Sequence, residues 1–514
     1  MVQKKFQQKN ALKNEIWEEE KMNSIKKVWK IVAAVLLLLP LFAGSLNASA
    51  ATEGNVDVTV HKRVFEDTMP ANKQNTGLEM PDFGGAPLNG AGFTVYDVTV
   101  AYHDALDGSD QATAMAAVIA DYEADATGFT QVGVEQITGD PDGTTKFANL
   151  PLYSNDLDAA YLFVETSTPA QPNIVQKAAP FILAMPIYTA MGANGALNTD
   201  IHVYPKNVSA EDTKVLENAG DFDPITLETG GASYPNVQIG DILNYKLTIN
   251  VPADIADLTS FKVKDTPGAG MALAPTPNIV VAGLTPGAGN DYTIDTSGNE
   301  LVLTFDTAKL ATRAGQTLTI TYDMVLTAEA IPDTPIKNSA ITIKIDGEHE
   351  TETGITPPPG VVTGGKQFIK HDQHTAKALA GAKFKVTNGT QWAKFTVNTK
   401  GEYAFNGWGT EGEATEVVAG ADGIFKVIGL TAGDYQLKET VAPDGYVLLT
   451  DNVSFEVVAK GYANEGLRLT VNNVPKGLLP STGGSGIYAF LIIGSMMMAG
   501  AYFWFKRSKE HAEV

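Results

Sequence analysis

The 514-residue sequence contains no cysteine, so disulfides, thiolate nucleophiles and thiolate metal sites are all excluded. Positive charge is scarce: 37 Lys and Arg stand against 59 Asp and Glu, a formal net charge of −22. That balance argues against nucleic acid and anionic lipid as partners, since both need basic surface. The seven histidines are scattered, and His371 and His374 have no further ligand near them in sequence. Asp140-Pro141-Asp142-Gly143 and Asp107-Gly108-Ser109-Asp110 lack a full calcium ligand set and read as turns. There is no phosphate-binding glycine loop and no Ser-His-Asp pattern. The sequence therefore implies no cofactor, no metal and no turnover enzyme. Long apolar runs occur in two places, one at each end.

At the N-terminal end, Lys26, Lys27 and Lys30 precede the apolar run 31–41, and Ala48-Ser49-Ala50 follows as a small-residue cleavage site. This is the three-part layout of a secretory signal peptide, with the mature chain starting near Ala51. Residues 1–21 are polar and do not fit it, which points to translation from Met22. At the other end Leu479-Pro480-Ser481-Thr482-Gly483 is followed by the apolar run 487–505 and then Lys506 and Arg507. As a helix that run would span roughly 28 Å, close to the hydrocarbon thickness of a bilayer. Pentapeptide, apolar span and basic tail resemble the sorting signal of Gram-positive cell-wall proteins. The resemblance implies that the transpeptidase sortase cuts between Thr482 and Gly483 and passes the Thr482 acyl group to an amine.

Between these ends the chain reads as all-β. Short alternating segments such as Val56–His61 and Leu301–Phe305 are separated by Gly, Pro, Asn and Asp turns. The Ala-rich stretch 111–126 is the exception and has helical spacing. Pro357-Pro358-Pro359-Gly360 is expected to be a stiff joint, with a second joint just after Pro205. The expected layout is a signal region 1–50, domains 51–207, 208–360 and 361–476, and a sorting region 477–514.

Strand parity places charged groups on core faces. Lys62 follows Val56, Val58 and Val60 with period two, and Lys370 follows Phe368. Glu439 shares a face with Tyr435 and Leu437, Asn473 with Leu467, Leu469 and Val471, and Asp265 with Phe261 and Val263. Asn338 is out of frame with Ile341, Ile343 and Ile345, so an inward Asn338 requires a bulge. Buried charges must be paired. On parity alone a buried Lys–Glu pair or a snorkelling lysine accounts for the pattern.

The first and third domains share Gly90-Ala91-Gly92-Phe93-Thr94-Val95 and Gly381-Ala382-Lys383-Phe384-Lys385-Val386. They also share Tyr161-Leu162-Phe163-Val164-Glu165-Thr166 and Tyr435-Gln436-Leu437-Lys438-Glu439-Thr440, the latter continuing to Pro443-Asp444-Gly445-Tyr446. These segments resemble the collagen-adhesin B-type sandwich, an immunoglobulin-like fold. The middle domain, with Gly240-Asp241-Ile242-Leu243-Asn244-Tyr245 and Val263-Lys264-Asp265-Thr266, resembles the isopeptide-forming second domain of Gram-positive backbone pilins.

The resemblance implies spontaneous Lys–Asn amide bonds. It assigns Lys370, Asn473 and Glu439 in the third domain, with Asn472 as fallback acceptor but facing outward. It assigns Lys214, Asn338 and Asp265 in the second, and Lys62, Asn207 and Glu165 in the first. Burial would lower the lysine's pKa and raise the acid's, and the protonated acid would polarise the Asn carbonyl as ammonia leaves.

Leu197-Asn198-Thr199-Asp200-Ile201-His202-Val203-Tyr204-Pro205-Lys206 resembles the pilin motif that supplies the polymerisation lysine, with Leu197 in place of the usual Trp. Lys206 is the expected nucleophile, and its parity is opposite to that of Asn207. The implied function is a structural subunit of a covalently polymerised surface pilus. The implied partners are pilus-type and housekeeping sortases, identical subunits head to tail, peptidoglycan, tip and basal pilins, and a host or matrix ligand. The alternative is a monomeric wall-anchored adhesin with stalk domains; a secreted hydrolase would need a catalytic constellation that is not found.

Overall fold

The computed structural model describes residues 54–477, apart from 72, 74, 140 and 190–194, together with a C-terminal helix Gly486–Glu510. The signal region and the pentapeptide Leu479, Pro480, Ser481, Thr482 and Gly483 lie outside the described residues.

The first sandwich is built on strand Asn55–His61, whose alternating valines point inward. It pairs antiparallel with Thr144–Pro151 and parallel with Asp200–Val203. A second sheet runs Phe181–Ala184, Ala160–Ser167, Gly92–Asp97 and Thr130–Gln131. Val58, Phe93, Phe147, Phe163, Phe181 and Ile201 form the core between them. Strand Ala160–Ser167 is buried on both faces: Tyr161 and Phe163 enter that core, and Ala160 and Leu162 enter another. The second core is roofed by helices Thr99–Leu106 and Gln111–Ala124, through Tyr102, Met115, Val118 and Ile119. The helical spacing from 111 is confirmed. The preceding helix escapes a reading by pattern because it starts with β-branched residues and its N-cap, Val98, offers no side-chain oxygen; Asp97 Oδ1, just outside it, accepts from Thr99 N at 3.0 Å.

The middle sandwich has one sheet of Thr213–Leu216, Leu243–Asn250, Thr317–Leu326 and Met271–Leu273. The other sheet is Tyr292–Asp295, Leu301–Phe305, Ser260–Pro267, Asn338–Asp346 and His349–Ile355. Both sandwiches belong to one compact unit, which runs to Pro224 and includes Asp241–Thr327 and Pro335–Val361. After the three prolines, Gly360 is required by close approach: a Cβ there would lie 2.6 Å from the Ile336 carbonyl oxygen.

A separate unit contains the nine-stranded third domain, from Gly364–Asp372 to Leu469–Asn473. It also takes in Ile225–Gly240 and Ala328–Thr334, which are hydrogen-bonded to it: Ile239 N donates to Gly429 O at 3.0 Å and Tyr462 N to Asp333 Oδ2 at 2.8 Å. Stacked rings fill its core, Phe425 lying 4.7 Å from Phe368 and 4.9 Å from Phe384.

The expected membrane span falls on the C-terminal helix Gly486–Glu510. Among the described residues no helix combines the length and apolar content needed to cross a membrane. Helix Gly486–Glu510 has 25 residues, some of whose side chains lie outside the described ones.

Candidate functional site: buried lysines and their amide partners

In the third domain Gly364–Asp372 pairs parallel with Leu469–Asn473, placing Lys370 opposite Val471. Asn473, two residues further on, shares that face and sits diagonally beside the lysine. Lys370 is 0% exposed, Asn473 1% and Glu439 3%. Lys370 Nζ donates to Asn473 Oδ1 in a close contact and to Val471 O at 2.9 Å. Asn473 Nδ2 donates to Glu439 Oε2 at 2.9 Å and to Val447 O at 2.8 Å. Glu439 Oε1 lies 4.0 Å from Lys370 Nζ and has no hydrogen-bond partner. Asn472 is exposed, and Leu467 sits in a short 3-10 turn rather than on the inward face of the strand.

The first domain repeats this construction. Arg63–Glu66 pairs parallel with Lys206–Ser209, Asn207 facing Val64, so Lys62 again precedes its asparagine by the same two-residue diagonal. Lys62 Nζ donates to Glu165 Oε2 at 2.7 Å and to Asn207 Oδ1 at 2.5 Å, and Asn207 Nδ2 donates to Glu165 Oε1 at 2.7 Å. Ala178 N also donates to Glu165 Oε2, at 2.8 Å. One carboxylate thus bridges the lysine and asparagine side-chain nitrogens. The ammonium lies 5.3 Å from the centre of the Phe93 ring, inside the core.

The middle domain differs in topology. Lys214 comes from one sheet, while Asp265 and Asn338 come from the other, where Asn338 faces Pro267 on the neighbouring strand. Lys214 Nζ donates to Asp265 Oδ2 in a close contact, and Tyr322 OH donates to the same oxygen at 2.5 Å. Asn338 sits beside Asp265 and Tyr322, yet neither of its amide atoms has a hydrogen-bond partner, and Asp265 Oδ1 is also unsatisfied. The bulge expected from parity is not there: pairing is continuous from Ser260–Ile345 to Pro267–Asn338. Asn338 is 1% exposed, with Ala340, Thr342 and Lys344 on its face. The isoleucines misled because they occupy the opposite face, where Ile341 and Ile345 are only partly buried.

Burial is the main electrostatic influence throughout. It pushes Lys62, Lys214 and Lys370 each down to about 8, against the pull of their carboxylates. It raises Asp265 above the usual carboxylate range and holds the Tyr322 phenol well above its own. A buried lysine that loses its proton becomes an amine nucleophile, and here each lysine has an amide and an acid enclosed with it. In the first and third domains the acid contacts the amide nitrogen rather than the carbonyl oxygen anticipated from sequence.

Lys206 starts the strand that contains Asn207. From Ile201 to Ser209 only His202 and Lys206 are partly accessible; Val203, Tyr204 and Pro205 are buried. Tyr204 is stacked between His61 and Phe83, at 4.6 and 4.7 Å, and partial burial lowers the Lys206 pKa. Leu197, in place of the usual Trp, packs half-buried against the first core.

Residues 53–208 match the family described as Gram-positive pilin subunit D1, N-terminal domain. Residues 364–467 match the prealbumin-like fold domain, and residues 472–513 match the LPXTG cell wall anchor motif. The chain is 26% identical over 518 residues to fimbrial subunit type 2 of Actinomyces naeslundii, covering 91% of this chain and 92% of the relative. The chain is a Gram-positive pilin subunit. The pilin is also 26% identical over 512 residues to fimbrial subunit type 1 of Actinomyces viscosus, covering 86% and 88%. In fold it is similar to the full-length RrgB pilus protein of Streptococcus pneumoniae, with a TM-score of 0.51, 19% identity, and 84% of this chain and 100% of that one covered. It is a structural subunit of a cell-wall-anchored surface pilus.

Parity found Lys62, Asp265, Lys370 and Glu439, and the resemblance supplied Lys214 and Glu165, but neither found their supporting groups. Tyr322 and Tyr245 read as ordinary core aromatics, although both rings lie within 6 Å of the Lys214 ammonium, at 5.8 and 5.0 Å. Ala178 contributes only a backbone N–H, for which a sequence carries no signal. Among the described residues no group of His, Cys, Asp and Glu could hold a metal ion.

Proposed function

We propose that this pilin is the backbone subunit of the fibre, sortase joining Thr482 of one copy to Lys206 of the next, while Lys–Asn amide bonds stiffen its domains. In that reaction the Thr482 acyl group, held by sortase as a thioester, passes to the Lys206 amine. The resulting contact is heterologous and non-closing, which produces a filament rather than a ring. Pilus-type sortase, housekeeping sortase and peptidoglycan are the partners this reading requires, with tip and basal pilins and a host or matrix ligand beyond the backbone.

The intramolecular step is an amide exchange. A lysine amine attacks the asparagine Cγ, a C–N bond forms, the Cγ–Nδ2 bond breaks, and ammonia leaves. The carboxyl of Glu165, Asp265 or Glu439 receives the lysine proton and delivers one to the departing nitrogen. The observation that carries the reading is the first-domain trio: a single buried carboxylate holds Lys62 Nζ at 2.7 Å through one oxygen and Asn207 Nδ2 at 2.7 Å through the other. The adjacent Lys206 points away from that buried centre and is partly accessible to an enzyme.

The polymerisation step is tested by a denaturing blot of cell-wall extracts comparing wild type with Lys206→Ala. A high-mass ladder that collapses to monomer in the variant is the expected result. A single band in both would replace the fibre with a monomeric wall-anchored protein, and a surviving ladder would move the nucleophile to another lysine.

A further inference from the structure

We propose that Gly423 and Gly143 are positioning residues for amide formation by Lys370 and Lys62, an inference that rests on the amide reading above. Each lysine's backbone is gripped by the same two hydrogen bonds. Lys370 N donates to Gly423 O at 2.8 Å, and Leu379 N donates to Lys370 O at 2.9 Å. Lys62 N donates to Gly143 O at 2.8 Å, and Leu88 N donates to Lys62 O at 3.1 Å. Both glycines follow an aspartate, Asp422 or Asp142, and both open a strand, Ile424–Leu430 or Thr144–Pro151.

Both glycines have positive φ, 73° and 69°, but backbone conformation is not the whole constraint. A Cβ on Gly423 would lie 2.7 Å from Lys370 O and 3.2 Å from Leu379 N. A Cβ on Gly143 would lie 2.7 Å from Leu88 N and 2.9 Å from Lys62 O. Those atoms are the second hydrogen bond of each grip, so any side chain would wedge the lysine backbone out of place. Gly401, in the same third domain, has a similar φ of 78° and nothing within 4 Å of its Cβ position. It isolates backbone strain from the wedge.

Chemistry makes the lysine Cα position matter. Once both side chains are buried, the amine reaches the Asn473 or Asn207 carbon only along the path set by the two strands. Bringing a Cβ from 2.7 Å to the 3.4 Å of ordinary contact requires a shift of 0.7 Å (3.4 − 2.7). Misplacements of about 1 Å cost on the order of 100-fold in rate for positioned reactants.

The test uses the full-length chain recovered unfolded and held in denaturant, so that no amide has yet formed, then diluted into folding buffer, with amide closure followed by intact mass as loss of one ammonia per bond. Peptide mapping assigns each bond to its domain. Rates are taken only after near-ultraviolet dichroism of Trp392 and Trp408 shows the third domain folded. Gly401→Ala is expected to close the Lys370–Asn473 bond at the wild-type rate, and Gly423→Ala about 50- to 100-fold more slowly. Equal rates for the two variants would overturn the inference. If Gly423→Ala does not fold, Gly143→Ala puts the same question to the Lys62–Asn207 bond, with normal closure overturning the inference. A wild-type chain that keeps its unreacted mass would overturn the amide reading, and this inference with it.

Discussion

Replacing Glu439 with Gln removes the group proposed to carry protons between Lys370 and Asn473 while keeping its shape, and the consequence can be worked out in advance. Lys370 and Asn473 are 103 residues apart, so an amide between them closes a loop of that length. By the chain-entropy relation for cross-links, a loop of about 100 residues is stabilised by up to ~4.7 kcal/mol. A domain of roughly 100 residues shifts its melting point by about 4–8 °C per kcal/mol. The third-domain transition should therefore fall by roughly 20 °C or more in Glu439→Gln, and the mass should rise by one ammonia. Scanning calorimetry of the secreted chain, with intact mass on the same sample, measures both. A variant that still loses the ammonia would refute the assignment of Glu439. A variant that keeps the ammonia yet melts at the wild-type temperature would refute loop closure as the source of stability.

Closure should also depend on pH. The folded-state pKa of Lys370 lies near 8, below its ordinary value, so the amine form grows as pH rises through 8. Refolding at pH 6 should give slower mass loss than at pH 9; the reverse order would contradict attack by a neutral lysine. The sign for stability agrees: a chain trapped open by Asn473→Ala should become more stable between pH 8 and 10.5, where the unfolded state holds the extra proton. Tyr322→Phe deletes one of the two donors to Asp265 Oδ2 and should slow closure of the Lys214–Asn338 bond, measured by peptide mapping, with the other two bonds unaffected. Lys344 is buried, donates to Asn173 Oδ1 at 2.7 Å and faces the carboxylates of Asp212 and Asp254. Lys344→Met should cost about 2 kcal/mol in denaturant titration, the size of a charged hydrogen bond, and raise amide exchange in Ile174–Gln176.

Much of this was legible in sequence because a strand has period two and a charge on the core face stands out against valines and phenylalanines. Lys62, Asp265, Lys370, Glu439 and Asn473 are all found inward by that test. The test failed at Asn338 for a physical reason. Its strand carries isoleucine on one face and Ala340, Thr342 and Lys344 on the other, so hydrophobicity pointed to the wrong side. The grips at Gly143 and Gly423 were invisible for a different reason. Each Asp-Gly pair reads as an ordinary turn, and only a fold that brings the turn against a lysine 53 or more residues away in sequence, as at Lys370, gives it a role. Backbone donors such as Ala178 N leave no mark on a sequence at all.

The three sites also differ in what a covalent bond would do under tension. If load enters at Lys206 and leaves at Thr482, the chain between those residues bears it. Amides at Lys214–Asn338 and Lys370–Asn473 would bypass both of the domains in that path. Only the stretches 207–213, 339–369 and 474–481 would then remain in series. The Lys62–Asn207 bond is not a bypass of that kind, because Lys62 lies upstream of the point of entry. It ties the residue next to Lys206 to the strand beside it, where Asn207 pairs with Val64. A pull on Lys206 would otherwise peel the strand Lys206–Ser209 away from Arg63–Glu66 one hydrogen bond at a time. With the amide closed, peeling requires breaking a covalent bond at its first step. Single-molecule pulling between Lys206 and the C-terminal end should therefore give the same contour length for wild type and Glu165→Gln, but with an added low-force peeling event in the variant. A longer contour gain in Glu165→Gln, reaching into residues before Lys206, would refute this division of labour.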